Sequence, residues 1–127
     1  MEETKKYTIL AVDDVPLNLI LVEKMLTRQN FIVKKASGGQ QALDMIAKQQ
    51  PSLVLLDLMM PNVDGFEVLS HIRENKETEN LPVVILSALN SEHDIKRAMK
   101  LGANDFVTKP IIMDRLVTAI KKALETA

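Results

Sequence analysis

Short apolar runs alternate along this chain with stretches in which apolar residues recur every three or four positions. The runs are Thr8-Ile9-Leu10-Ala11-Val12, Phe31-Ile32-Val33, Leu53-Val54-Leu55-Leu56, Val83-Val84-Ile85-Leu86 and, more weakly, Asp105-Phe106-Val107. Those at 8–12, 53–56 and 83–86 are continuously apolar, as buried strands of a parallel sheet are when both faces are covered. Between the runs, Leu17, Leu21 and Met25 lie at i, i+4 and i+8, with Ile20 and Val22 widening the stripe. Ala42, Leu43, Ile46 and Ala47 form a second stripe, and Phe66, Leu69 and Ile72 a third. Ile95, Ala98 and Met99 make a fourth, and Leu116, Ile120 and Leu124 a fifth. This spacing predicts five amphipathic helices. Pro16 suits the first turn of the first helix, and Ser91-x-x-Asp94 resembles a capping box with Asp for the usual Glu or Gln. The order is strand then helix, five times. The fold class expected is α/β, a (βα)5 doubly wound, five-stranded parallel sheet with helices on both faces.

Composition narrows the function. A length of 127 residues predicts one domain spanning 1–127, with a core from about 7 to 124. With no Cys, thiolate metal sites, thiol nucleophiles and disulfides are excluded. Sixteen Lys and Arg against 17 Asp and Glu leave a net charge of -1, without the basic field that nucleic acid requires. Aromatic residues are only 3%, too few for a base-stacking platform. Met1 to Thr8 is polar and charged, unlike a signal peptide, and no run approaches the roughly 20 apolar residues that span a bilayer. The expectation is a soluble, cytoplasmic protein with no direct nucleic-acid partner and no membrane insertion. Gly38-Gly39 reads as a turn, because no glycine-rich phosphate-loop motif occurs in the chain.

Ligands of open α/β sheets bind beyond the carboxyl ends of the strands. The apolar runs end there in polar residues: Asp13-Asp14 after the first, Asp57 after the third, Ser87 after the fourth, and Lys109, between Thr108 and Pro110, after the fifth. Each alone has a plain reading. Asp14 could cap the helix beginning near Val15, Ser87 could be a turn residue, and Lys109 a solvated charge. Together they predict a site. Three carboxylates brought close repel one another, and a hard, oxygen-seeking divalent cation such as Mg²⁺ relieves that repulsion. An ammonium and a hydroxyl beside it suit a phosphoryl group, and an aspartate can accept that group covalently. The set points to Mg²⁺-dependent phosphoryl chemistry on an aspartate.

From Tyr7 to Leu124 the chain resembles the receiver domains of two-component response regulators, and is similar to the single-domain chemotaxis type. The segments that carry the likeness are Val12-Asp13-Asp14, Leu56-Asp57-Leu58-Met59-Met60-Pro61, Asp64-Gly65, Leu86-Ser87-Ala88 and Thr108-Lys109-Pro110. The resemblance implies a flavodoxin-like strand order and a signalling phosphoacceptor that acts on no external substrate. It implies that Asp57 takes a phosphoryl group from a phosphohistidine of a sensor histidine kinase or histidine phosphotransfer protein. Mg²⁺ would be held by Asp13, Asp14, Asp57 and the backbone carbonyl of Met59, with Asp13 acting through water. Ser87 and Lys109 would each meet a phosphoryl oxygen, and the Lys109-Pro110 peptide would be cis. Ser87 and Phe106 would form a switch that alters the face of the fourth helix, fifth strand and fifth helix, where a downstream protein would bind. The family also places Met59 and Leu89 along the path of the hydrolytic water. Both are apolar here, which implies a long-lived phosphoryl group.

Other residues keep plainer readings. Pro16, Leu17 and Asn18 are read either as helix-start chemistry or as a likeness to receivers of hybrid kinases and phosphorelays. His71 and His93 are expected on the surface, the seven Met residues in the core as aliphatic filler, and Lys121-Lys122 on a solvated face at a helix end. Two rival functions stay open. One is a degenerate receiver serving as an interaction scaffold. The other is an aspartyl-phosphate phosphatase, which typically carries an Asp where this chain has Met59.

Overall fold

A computed structural model describes residues 6–125, in which five strands alternate with five helices. The strands are β1 (Thr8–Val12), β2 (Ile32–Ala36), β3 (Leu53–Leu56), β4 (Val83–Ser87) and β5 (Asp105–Thr108). The helices are α1 (Pro16–Arg28), α2 (Gly39–Lys48), α3 (Gly65–Glu74), α4 (Glu92–Leu101) and α5 (Met113–Glu125). The expectation for the segment Met1 to Thr8 falls, for residues 1–5, outside the described residues, as does the placement of Met1.

All four strand pairings are parallel, in the order β2-β1-β3-β4-β5. The expected (βα)5 doubly wound sheet is therefore the fold. The chain leaves β1 toward one edge and returns to β3 on the other side, so the order reverses between them. There Val12 pairs with Leu56, which puts the residues just beyond both strands side by side.

Side chains alternate along a strand, and the sheet therefore builds two cores. Ile9, Ala11, Leu53, Leu55, Val84, Leu86 and Val107 pack with α1 and α5 on one face. Leu10, Val12, Val54, Leu56, Val83 and Ile85 pack with α2, α3 and α4 on the other. The three central strands are buried almost throughout, as their unbroken apolar runs predict. Edge strand β2 runs past the apolar Phe31-Ile32-Val33 segment through Lys34 and Lys35 to Ala36. Both lysines are exposed, and Lys35 Nζ meets Glu23 Oε1 at 2.8 Å.

Three expectations about packing need correction. Helix α1 buries Leu19, Leu26 and, of the predicted stripe, Val22, whereas the predicted Leu17, Ile20 and Leu21 are exposed. The buried stripe is one residue, or about 100°, away from the one predicted. Apolar residues surround much of this helix, so periodicity alone could not choose a face. Met59 and Met99 are exposed, and of the described methionines Met60 is the one buried in the core. Helix α4 is held shallowly, with Ala98 as its buried residue. His71 and His93 are exposed, as expected.

Gly102 and Gly65 are dictated by geometry. Gly102 closes α4 in the left-handed region at φ 111°, and the Arg73 side chain lies where a Cβ would project. That guanidinium donates to the carbonyls of Gly102 (3.0 Å) and Leu81 (2.7 Å) and to Asn104 Oδ1 (3.1 Å). Burial draws its pKa below the usual arginine value. Arg73 thus ties α3, the start of β4 and the end of α4 together at the end of the sheet opposite the acidic residues. Gly65 opens α3 directly against the backbone of Asp57 and Leu58, and its N–H donates to the Leu58 carbonyl at 3.2 Å. The helix is then fixed by a reciprocal capping box between Asp64 and Glu67. A methyl group at position 65 would strike main chain rather than a flexible side chain. Gly65→Ala is therefore expected to cost about 2 kcal/mol or more, measured as the loss of unfolding free energy in urea.

Candidate functional site

The β1–β3 register brings two carboxylates together. One residue beyond the paired Val12 and Leu56 stand Asp13 and Asp57, both on the strand parity that faces α1 and α5. Their backbones continue the ladder: Asp57 N–H donates to the Val12 carbonyl at 3.0 Å and Asp13 N–H to the Ala36 carbonyl at 3.2 Å. Lys109 comes after β5 with the same parity, two residues beyond Val107. Its Nζ bridges the pair, 2.9 Å from Asp13 Oδ2 and 3.3 Å from Asp57 Oδ2. The Lys109-Pro110 peptide is cis, and Lys109 N–H donates to the Ser87 carbonyl at 2.9 Å.

Asp13 and Asp57 are nearly buried, at 6% and 5% exposure. Asp13 Oδ1 accepts from Val15 N–H at 2.9 Å, and its Oδ2 accepts from the Asn18 amide at 3.1 Å as well as from Lys109. Asp57 Oδ1 accepts from Met59 N–H at 3.1 Å. Asp14 is exposed, and among the described residues nothing engages its side chain. The N-cap of α1 is Val15, with no side-chain acceptor. The capping reading of Asp14 therefore falls away. One oxygen from each of Asp13, Asp14 and Asp57 lies within 4.8 Å of the others, a grouping able to hold a metal ion.

Burial by itself would lower the Lys109 pKa. The Asp13 hydrogen bond and the charges of Asp57 and Asp13 outweigh it, and the ammonium is held above its usual lysine value. The Lys109 charge offsets part of the repulsion between the carboxylates.

Ser87 and Phe106 take the other parity. Ser87 is fully buried at the end of β4, and its Oγ accepts from Leu89 N–H at 3.3 Å. Among the described residues no side-chain hydrogen bond joins it to Asp13, Asp57 or Lys109. Phe106 is half-buried against the core that carries α3 and α4. In that core Phe66, next to Gly65, lies under the Arg97 guanidinium of α4 at 3.9 Å. The strand ends thus present a charged cluster toward α1, and a hydroxyl and a ring toward α4. Asn18 is the member of the cluster whose contact the sequence does not reveal. It lies five positions after Asp13, and only knowing which face α1 packs on would show that the two meet.

Comparison with known proteins agrees with this arrangement. Residues 9–121 match the family model of the response regulator receiver domain. The chain belongs to the response regulator receiver family. It is 42% identical over 103 residues to the response regulator PleD of Caulobacter vibrioides, covering 81% of this chain and 23% of PleD. It is 36% identical over 125 residues to a probable cyclic di-GMP phosphodiesterase of Vibrio cholerae, covering 98% of this chain and 28% of that protein. The receiver thus spans about a quarter of the length of these two relatives. A crystal structure of a putative response regulator from Chloroflexus aurantiacus superposes with a TM-score of 0.91 at 30% identity, over 95% of this chain and 99% of that one. No helix among the described residues of the receiver is long and apolar enough to cross a membrane.

The raised Lys109 pKa carries a signed consequence. The folded protein holds this proton more tightly than the unfolded chain, so the bridge contributes fully below the unfolded lysine value of about 10.4. The contribution is lost as pH rises through the folded value. Unfolding free energy in EDTA, measured by urea titration, should fall over this alkaline range, and Lys109→Met should flatten the fall.

Proposed function

We propose that the receiver is a phosphoacceptor switch in which Asp57 takes a phosphoryl group from a phosphohistidine. The observation that carries this reading is the setting of Asp57: nearly buried, beside two further carboxylates, with the Lys109 ammonium 3.3 Å from its Oδ2. In the transfer the N–P bond of the phosphoimidazole breaks and a P–O bond to an Asp57 oxygen forms. The imidazole leaves, and Asp57 becomes an acyl phosphate. The only reaction in this reading is the protein's own phosphorylation and dephosphorylation.

The donor set fits Mg²⁺. It consists of oxygens, with the carboxylates of Asp13, Asp14 and Asp57 supplemented by the Met59 carbonyl, and a hard cation prefers such ligands. When bound, the cation neutralises charge on the phosphoryl oxygens. Asp14 has no side-chain partner among the described residues and suits direct ligation. Asp13 already accepts three hydrogen bonds, which suits contact through water. Lys109 supplies a mobile ammonium with three donors for a phosphoryl oxygen. Ser87 would turn from Leu89 N–H to meet another, and Phe106, on the same face, would move into the space vacated. The α4–β5–α5 surface would change with them, and a downstream protein would read it. Having no hydroxyl, Phe106 makes this an apolar movement.

A histidine donor must dock around the mouth of the site. Leu17, Ile20 and Leu21 on α1, with Val15, Met59 and Ile112 on the β1–α1, β3–α3 and β5–α5 connections, expose apolar side chains. This surface suits the kinase or phosphotransfer helix that carries the histidine, in the cytoplasm.

Incubation with Mg²⁺ and acetyl phosphate should add one phosphoryl group, detected by intact mass and mapped to Asp57, and Asp57→Asn should add none. A wild-type chain that gains no adduct would replace this reading with that of a scaffold. Rapid, continuing hydrolysis of an unrelated phosphomonoester would replace it with that of a phosphatase.

The lifetime of the adduct is set by what can orient a water. The Met59 side chain is 54% exposed at the mouth and Leu89 is half-buried, and neither offers a polar group. Met59→Asn combined with Leu89→Glu should shorten the phosphoryl half-life several-fold in a decay assay. An unchanged half-life would show that these positions do not control the water.

A further inference from the structure

We propose that Asn18 is a positioning residue, whose amide holds Asp13 in place when Lys109 turns away to a phosphoryl group on Asp57. The inference rests on the reading of Asp57 as the phosphoacceptor.

Asp13 Oδ2 has two donors, Lys109 Nζ at 2.9 Å and Asn18 Nδ2 at 3.1 Å, while Oδ1 has the Val15 N–H at 2.9 Å. The two donors on Oδ2 differ in kind. Lys109 is a charge on a flexible stem, already shared with Asp57, and a phosphoryl group carries more negative charge than a carboxylate. The ammonium therefore shifts toward the phosphoryl group when one forms. The Asn18 amide is neutral and gains little by moving with it. It also sits in the first turn of α1, beside the buried Leu19, on the face to which Asp13 points.

Once Lys109 has turned, Asn18 is the side chain left on Oδ2, and with Val15 N–H it keeps both oxygens of a buried carboxylate engaged. Without it, Asp13 would be free to rotate toward solvent, and the acidic cluster would lose its shape. Helix-start chemistry explains Pro16 at the head of α1, but not Asn18, because its amide caps no backbone group. Beside the pair lies a small cleft of about 10 Å³, lined in part by Asp13, Asn18, Leu19 and Asp57, with room for one water at most. Truncating Asn18 to Ala would enlarge it and admit a water able to replace the amide. Leu fills the volume and brings no donor, so Asn18→Leu is the cleaner variant.

The experiment is a Mg²⁺ titration monitored by backbone amide NMR shifts, on the full chain. It compares wild type, Asn18→Leu and Asn18→Gln, and repeats Asn18→Leu in a Lys109→Ala background, with urea unfolding in EDTA alongside. Asn18→Leu should weaken Mg²⁺ binding about tenfold, the usual scale for a group that holds a metal-ligating side chain. Asn18→Gln, which keeps the amide, should recover most of the loss. The loss should be larger in the Lys109→Ala background, where Asn18 is the remaining side-chain donor on Oδ2. Unchanged affinity in Asn18→Leu overturns the proposal, as does an equal loss in both backgrounds. Lower stability with unchanged affinity also overturns it and assigns Asn18 to helix packing alone. Wild-type binding and acetyl phosphate labelling are measured first. Failure there overturns the phosphoacceptor reading itself, and this inference with it.

Discussion

The site depends on one main-chain constraint, the parallel register that pairs Val12 with Leu56 where the strand order reverses. Neither Asp13 nor Asp57 can move away from the other without breaking the ladder that carries them. The chain therefore holds like charges together by backbone hydrogen bonds, and their repulsion is a standing cost of the fold. Lys109 offsets part of it, reaching both carboxylates from the end of β5, two strands from β3 and three from β1. Its retained proton and its cis peptide to Pro110 belong to a segment anchored on β4 through the Ser87 carbonyl.

Strand parity separates two tasks within one row of residues. Asp13, Asp57 and Lys109 face α1; Val15 N–H and Asn18 steady Asp13 from that side, and Met59 N–H steadies Asp57 from the β3–α3 segment. Ser87 and Phe106 face the other core, near α4, which buries little, and near Phe66, which the chain places directly after the glycine that touches Asp57. The ends of β4 and β5 carry members of both sets, Ser87 and Phe106 on one side of the sheet and Lys109 on the other.

Much of this was legible in the sequence because parallel strands announce themselves. Runs such as Leu53–Leu56 admit no polar residue until they leave the core, so the abrupt Asp57 marks a strand end and a site at once. The same contrast exposes Asp13, Ser87 and Lys109. What stayed hidden depends on tertiary choice. Helix α1 is apolar on several sides, and its buried stripe results from how it lies on β1 and β2, which spacing does not encode. The bond from Asn18 to Asp13 is hidden for the same reason. Strand β2 runs further than its apolar residues because an edge strand needs cover at few positions, so Lys34 and Lys35 are compatible with it. Met59 and Met99 defy the expectation of burial because a flexible thioether is tolerated in core and surface alike.

Those two lysines carry a consequence for the protein as a population of molecules. An open sheet has a free edge at β2, where the backbone groups of one copy could accept a strand from another. Lys34 and Lys35 point to opposite sides of that edge, so an approaching strand would have to strip water from an ammonium whichever way it lay. Neighbouring copies would also meet charge of the same sign. Residues remote from the acidic cluster thereby guard the open edge of the sheet against pairing with another copy.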